Sequence, residues 1–446
     1  MNKVRLLVPK TDIYAKRWLI ILGGVCLLVF VATIPLPRVD GHLVGSDGTQ
    51  YYAILRSLVL DQDFNLINDN ELLNVRNSIV PETGMAVNPF AIGSALLWFP
   101  FFLIAHLLSL LLNFAGLSVP NNGISYLYES AVLIGTIVYA SLGFYLCYRV
   151  ARRLFDVEAS LIATLTIWLA TQSIYYIVAE PSMSHALTIF TNALFLFIWY
   201  PARPNRTHLQ WFLLGLITAL VALVRWQEGV IILIPLFELL WWVWKKEKSV
   251  KQTLLNFLTF AVAVLIGFMP QFLMWNSIYG SPLLIPQGND FMHWFDPKPI
   301  HTLFSTRHGL LTWHPVLIMA LIGIAFLWKK DKVLASIAVG AFLFQLYINS
   351  VADHWWADDA FGGRRFIGLM PLMIISLAAF INALKDSRWY KYILLLLVLL
   401  VIWNGLSFAQ YRLGFISKDA ALTIREITID RILLPWLLIQ KMLSWL

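Results

Sequence analysis

The residues of this sequence that could do chemistry fall into a few short clusters. Asp47 sits in Gly45-Ser46-Asp47-Gly48-Thr49-Gln50-Tyr51-Tyr52. A carboxylate near a lipid boundary is suited to general-base work, because partial desolvation raises its pKa toward neutrality. Asp-Gly ahead of a helix-like run is equally the pattern of a turn or a helix N-cap. Asp61-Gln62-Asp63 is a D-x-D pair, which can hold a divalent cation such as Mg or Mn together with phosphate oxygens, or can be a solvated turn. The densest cluster is Asp353-His354-Trp355-Trp356-Ala357-Asp358-Asp359-Ala360-Phe361-Gly362-Gly363-Arg364-Arg365-Phe366. Two glycines let backbone N–H groups approach an anion, and Arg364 and Arg365 at the start of a helix offer a phosphate both charge and dipole. The indoles can stack on a sugar face or anchor at a membrane interface.

Three further groups complete the candidate set. Glu180 and His185 lie in Tyr175-Tyr176-Ile177-Val178-Ala179-Glu180-Pro181-Ser182-Met183-Ser184-His185, where capping by Ser182 or Ser184 would explain the serines but not His185. Arg225, in Arg225-Trp226-Gln227-Glu228, is costly so close to hydrocarbon unless it is paired, lines a wet cavity or snorkels. Arg307-His308-Gly309 leads into another helix. The expected substrate-binding residues are Tyr51, Tyr52, Glu180, His185, Arg225, Arg307, His308, Asp353, His354, Trp355 and Trp356, with Asp61 and Asp63 as the candidate metal pair.

The elements that must position these residues are membrane helices. Of 446 residues, 59% are hydrophobic and 13% charged, with a mean hydropathy of +0.72. A soluble domain carries about 25% charged residues. The composition excludes an ordinary cytosolic enzyme, a disordered chain and a disulfide scaffold; Cys26 and Cys147 both lie inside apolar runs. Runs long enough to cross a bilayer begin near Trp18, Glu129, Ala159, Ser184, Gln210, Val230, Gln252, Pro315, Val333, Ile367 and Tyr392, which predicts an all-α protein of about 11 transmembrane helices. The first run ends in Pro35-Leu36-Pro37-Arg38 without a small-residue cleavage site, so it is not a signal peptide.

Six basic clusters set the orientation: Lys3 to Arg17, Arg149/Arg152/Arg153, Arg203/Arg206, Lys245 to Lys251, Lys329/Lys330/Lys332 and Lys385/Arg388/Lys391. All six face the cytoplasm if Pro89–Leu117, broken by Pro100 and His106, is a re-entrant or interfacial helix pair that does not cross. The clusters then hold 20 of the 33 basic residues, and the outer side carries 18 acids against 13 bases. The net charge of +8 therefore reports orientation rather than a nucleic-acid partner. The long loops lie outside: a first loop over residues 35–127 with interfacial helices, and a tail over 411–446 whose Trp436 and Trp445 suit the interface. The chain reads as one integral-membrane domain with its N-terminus cytoplasmic.

Together these pieces resemble the GT-C class of integral-membrane glycosyltransferases, on the bacterial branch similar to the dolichyl-phosphate-mannose–protein mannosyltransferases. The resemblance runs from Trp18 to about Phe380. It rests on Ser46-Asp47-Gly48 with Tyr51-Tyr52 and Leu55-Arg56-Ser57-Leu58, on Asn88-Pro89-Phe90-Ala91-Ile92-Gly93 with Leu97-Trp98, on Leu303-Phe304-Ser305 into Arg307-His308-Gly309-Leu310, and on Trp355-Trp356 with Phe361-Gly362-Gly363-Arg364-Arg365-Phe366. The resemblance implies a polyprenyl-phosphate sugar donor and an extracytoplasmic acceptor at a bacterial inner membrane. It also implies Asp47 as catalytic base, Arg364 and Arg365 on the donor phosphate, and inversion at the anomeric carbon. Where many members carry a second acidic motif, this sequence has Glu180 and His185. The alternative is a secondary transporter or a flippase of lipid-linked sugars, although such proteins usually place polar residues on broken helices near the midplane.

Overall fold

Apolar residues on every face favour helices that bury backbone polar groups internally and side chains against one another or lipid. The computed structural model describes residues 10–36, 40–203, 205–285 and 287–443. Lys3, Arg5, Arg38 and Trp445 lie outside the described residues. The helices are α1 (Lys10–Thr33), α2 (Gly48–Arg56), α3 (Ile67–Leu72), α4 (Gly93–Phe114), α5 (Tyr126–Ala151), α6 (Val157–Leu169) and α7 (Ser173–Val178). Next come α8 (Ser184–Ala202), α9 (His208–Val224), α10 (Leu233–Lys245), α11 (Val250–Tyr279), α12 (Pro299–Phe304), α13 (Leu310–Trp313) and α14 (Val316–Lys330). The last are α15 (Lys332–Val351), α16 (Met370–Leu384), α17 (Tyr390–Arg412), α18 (Ile424–Ile427), α19 (Ile429–Ile432) and α20 (Leu434–Leu443).

Among the described residues nine helices are long and apolar enough to cross a membrane: α1, α4, α5, α8, Trp226–Lys245, α11, α15, Arg364–Leu384 and α17. The chain is an all-α, multi-pass membrane protein. Three of the eleven runs form shorter helices, α6 with 13 residues, α9 with 17 and α14 with 15. The stretch expected to be a helix pair is instead the single helix α4, with Pro100 inside it. A proline removes one hydrogen bond of the ladder. Here the buried face of Trp98, Phe102 and Ala105 carries the helix through. Trp98 Nε1 donates to Thr136 Oγ1 at 2.7 Å and His106 Nδ1 meets Tyr128 OH at 2.7 Å, so α4 runs antiparallel to the first half of α5.

The contacts divide the chain into two compact units: one containing the chain up to Val25, Phe144–Tyr175 and Met292 onward, the other Cys26–Gly143 and Tyr176–Phe291. In the first unit, α14 packs on α16, and α16 and α17 pack on α6. A Cβ at Gly323 would stand 2.0 Å from the Ser376 carbonyl oxygen, so glycine sets that close approach. Asn404 Nδ2 donates to the carbonyls of Leu169 at 2.8 Å and Thr171 at 3.0 Å, satisfying the frayed end of α6. The tail folds as α18 to α20 rather than as one helix. It buries Arg431, which donates from Nε to Gln410 Oε1 at 3.0 Å and lies 4.8 Å over the Trp403 ring.

In the second unit, α9 packs on α8 and α11, and a Cβ at Gly215 would meet the Phe260 carbonyl oxygen at 2.5 Å. Its first loop is organised around Arg56, which donates to Asp61 at 2.7 Å and to Asp69 at 2.6 Å. Asp69 is fully buried, and that burial pushes its carboxyl up to about 6 although Arg56 opposes the shift. An Arg56→Ala variant leaves this carboxyl buried without its partner. It is expected to lose about 3–5 kcal/mol of stability, read as a lower melting temperature in detergent, and adding Asp69→Asn should restore part of the loss.

Candidate functional site

In the second unit the Asp47 turn is held from two sides. Glu129, at the start of α5 and 1% exposed, pairs with His42 Nδ1 at 2.8 Å and accepts from the backbone N–H groups of Leu43 and Val44. Ser182 Oγ donates to the Gly45 carbonyl at 3.1 Å. A Cβ on Gly48 would stand 2.4 Å from that of Ser182, so only glycine permits the approach. Ser46 is left-handed, with φ 54°. Asp47 occupies the N-cap position of α2, yet its half-buried side chain makes no cap hydrogen bond. The turn is therefore built without using the carboxylate as a cap.

The segment between α7 and α8 lies against this turn. Tyr51 OH donates to Ser184 Oγ at 3.2 Å, and the Tyr51 ring meets Phe90 and Trp98 edge-on. Neither serine caps α8, whose N-cap is Met183 without a side-chain bond. His185 is buried, with Nδ1 at 2.8 Å from Arg225 Nη1 and its ring 4.5 Å from that of Tyr176. Arg225 also donates to Gln227 Oε1 at 3.2 Å. Glu180 is half-buried two residues before Ser182. Tyr52 faces the interior, where its hydroxyl donates to the Gly123 carbonyl at 2.6 Å.

The Asp61 and Asp63 carboxylates are engaged by separate partners. Asp61 Oδ2 accepts from Arg56 and from Asn68 Nδ2 at 2.9 Å, while Asp63 Oδ1 accepts from Ser57 Oγ at 2.8 Å and the Asn65 N–H at 3.0 Å. Both contacts on Asp61 fall on the same oxygen, Oδ2. Among the described residues no group of three His, Cys, Asp or Glu side chains is arranged to hold a metal.

In the first unit a small recess is lined by Thr302, His308, Trp355, Trp356, Ala357, Gly362, Gly363, Arg364, Arg365 and Phe366. The two arginines open a 3-10 turn, Arg364–Leu369, that continues directly into α16. A Cβ at Gly362, where φ is +64°, would fall 2.1 Å from His314 Nε2, so this glycine is required by close packing. Arg307 stands behind the wall: its guanidinium lies 3.8 Å over the Trp356 ring and donates to Asp419 Oδ1 at 2.9 Å. Trp356 Nε1 donates to the same Asp419 oxygen at 3.1 Å, and the hydrogen bond from Arg307 holds that carboxyl below the usual carboxylate range. His354 stacks on Trp356 at 4.8 Å and pairs with Asp358 at 2.8 Å, while Asp353 lies 3.6 Å from His293; all four groups are exposed.

The recess thus gathers His308, Trp355, Trp356, Arg364 and Arg365, whereas Arg307, Asp353 and His354 support its wall and rim. Sequence reasoning missed Glu129, Ser182 and Asp419. An acid opening an otherwise apolar run was a usable signal for Glu129; Asp419 carried none, because its partners are distant in the chain.

No family model matches the sequence, and no curated protein matches it. Solved structures do. ArnT from Cupriavidus metallidurans in the apo state is 14% identical at a TM-score of 0.55, over 89% of this chain and 65% of that one. ArnT bound to undecaprenyl phosphate is 13% identical at 0.51, over 94% and 72%. The archaeal oligosaccharyltransferase AglB from Archaeoglobus fulgidus, in complex with an inhibitory peptide and a dolichol-phosphate, is 15% identical at 0.51, over 92% and 57%. The chain spans less than two thirds of the apo ArnT chain and of AglB. It has the GT-C fold of membrane glycosyltransferases.

Burial lowers the imidazoles of His308 to about 4 and His314 to about 3. The folded chain then binds fewer protons than the unfolded chain from about pH 6.5 down to pH 4, so stability falls as the pH drops through that window. The melting temperature in detergent is expected to fall between pH 7 and pH 4.5, with a shallower slope in a His308→Gln variant.

Proposed function

We propose that this protein transfers a sugar from a polyprenyl-phosphate donor to an acceptor hydroxyl on the extracytoplasmic side of a bacterial inner membrane. The observation that carries this reading is the pair Arg364 and Arg365 lining an aromatic recess. ArnT with undecaprenyl phosphate and AglB with a dolichol-phosphate, which share the fold, support it. A lipid-linked donor also suits an outer-facing site, since a polyprenyl tail can lie among helices.

In this reading the acceptor oxygen attacks the anomeric carbon and the bond from that carbon to the phosphate oxygen breaks, inverting the configuration. The hydroxyl proton passes to the Asp47 carboxylate. The electron pair leaves on the phosphate, whose growing charge Arg364 and Arg365 stabilise. His185, Arg225 and Glu180 flank the acceptor side, and Trp355 and Trp356 offer faces for the sugar.

Purified full-length protein should form product with at least one member of a panel of polyprenyl-phosphate sugars. Asp47→Asn should lower turnover by about 10²–10⁴-fold. Full activity in Asp47→Asn would remove Asp47 as the base. Movement of lipid-linked sugar across liposomes without any glycosyl transfer would favour a flippase or transporter instead.

A further inference from the structure

His308 is a buried member of the recess. It is 3% exposed and its ring packs at 5.1 Å against that of Trp313. Its backbone is left-handed, with φ 61°. A residue bearing a Cβ takes that conformation at a cost, and such strain concentrates at ligand sites. Neither ring nitrogen completes a hydrogen bond of ordinary geometry, although the Lys418 backbone lies beside the ring. A buried polar group left in that state is a further cost. Both penalties fall on one residue of the recess that also holds Arg364 and Arg365.

We propose that His308 is a specificity residue for the phosphoryl group of the ligand, donating a ring N–H to a non-bridging phosphate oxygen beside the two arginines. This rests on the reading of Arg364 and Arg365 as phosphate ligands and adds a contact that selects by hydrogen bonding rather than by charge. The charged groups facing the ring are Arg307, Arg364 and Asp419. Burial and the two arginines keep the imidazole neutral, so it offers one donor and one acceptor and adds no third cation. A phosphoryl ligand fits this set, since it presents several acceptor oxygens to three neighbouring donors; an uncharged prenyl alcohol offers one.

The test is binding of farnesyl phosphate, with farnesol as control, to the full-length protein in detergent. Wild type should bind the phosphate and not the alcohol. His308→Leu should weaken phosphate binding at least tenfold, and His308→Gln, which keeps a donor, should stay within threefold. Both variants carry the same backbone strain, so equal melting temperatures separate lost contact from lost fold. Should both unfold, His308→Asn, which keeps a shorter donor, takes the place of His308→Gln and His308→Met that of His308→Leu, with the same tenfold and threefold limits. In wild type, affinity should not fall as pH rises from about 5 to 7.5, whereas an imidazolium contact would be lost near 6.5. Wild-type affinity in His308→Leu, or loss of affinity through pH 6.5, overturns the role of His308 while leaving the arginines in place. Equal binding by the Arg364→Ala/Arg365→Ala variant overturns the arginine reading itself.

Discussion

Glu129 sits almost fully buried at the start of α5, and its carboxylate takes up His42 and the backbone N–H groups of Leu43 and Val44. A charge in that position is tolerable only when fully hydrogen-bonded, so the chain leaving α1 is drawn to one place. Three residues later comes Asp47. The same turn is closed from its other side by Ser182, against a glycine that admits no Cβ. The segment after α1 and the segment before α8 are therefore fixed to one another. The Tyr51 to Ser184 hydrogen bond and the His185 to Arg225 contact extend that framework.

The recess in the other unit follows the same logic with opposite charge. Trp356 is fixed by cation–π stacking with Arg307 and by its hydrogen bond to Asp419. Left-handed backbone at His308, His354, Ala357, Asp358 and Gly362 bends the two loops around Arg364 and Arg365. Behind them Gly362 packs against His314 with no room for a Cβ, and the His308 ring packs on Trp313. Rigid walls with two cationic side chains suit an anionic group presented from the membrane surface.

Much of this was legible in the sequence because hydropathy in a membrane chain reports the backbone directly: each of the eleven apolar runs is a helix. The misread stretch was Pro89–Leu117, where Pro100 suggested a break that packing against α5 overrides. Arg364 and Arg365 stood out with Trp355 and Trp356 because they share one dense polar and aromatic cluster, Asp353 to Phe366. What could not be read were contacts between residues far apart in the chain. The D-x-D spacing of Asp61 and Asp63 gave no sign that Arg56 and Asn68 hold the first while Ser57 and Asn65 hold the second. Nor could the sequence show that Gly362 is demanded by His314.

The central claim assigns different work to the two sets of residues, a base in one unit and phosphate ligands in the other. It is tested most directly by steady-state kinetics on the active donor, comparing Asp47→Asn with the Arg364→Ala/Arg365→Ala variant. The account predicts that Asp47→Asn lowers kcat with the donor KM nearly unchanged, and that the arginine variant raises the donor KM at least tenfold and lowers kcat as well. Loss of donor affinity in Asp47→Asn with kcat preserved, or unaltered kinetics in the arginine variant, would contradict it.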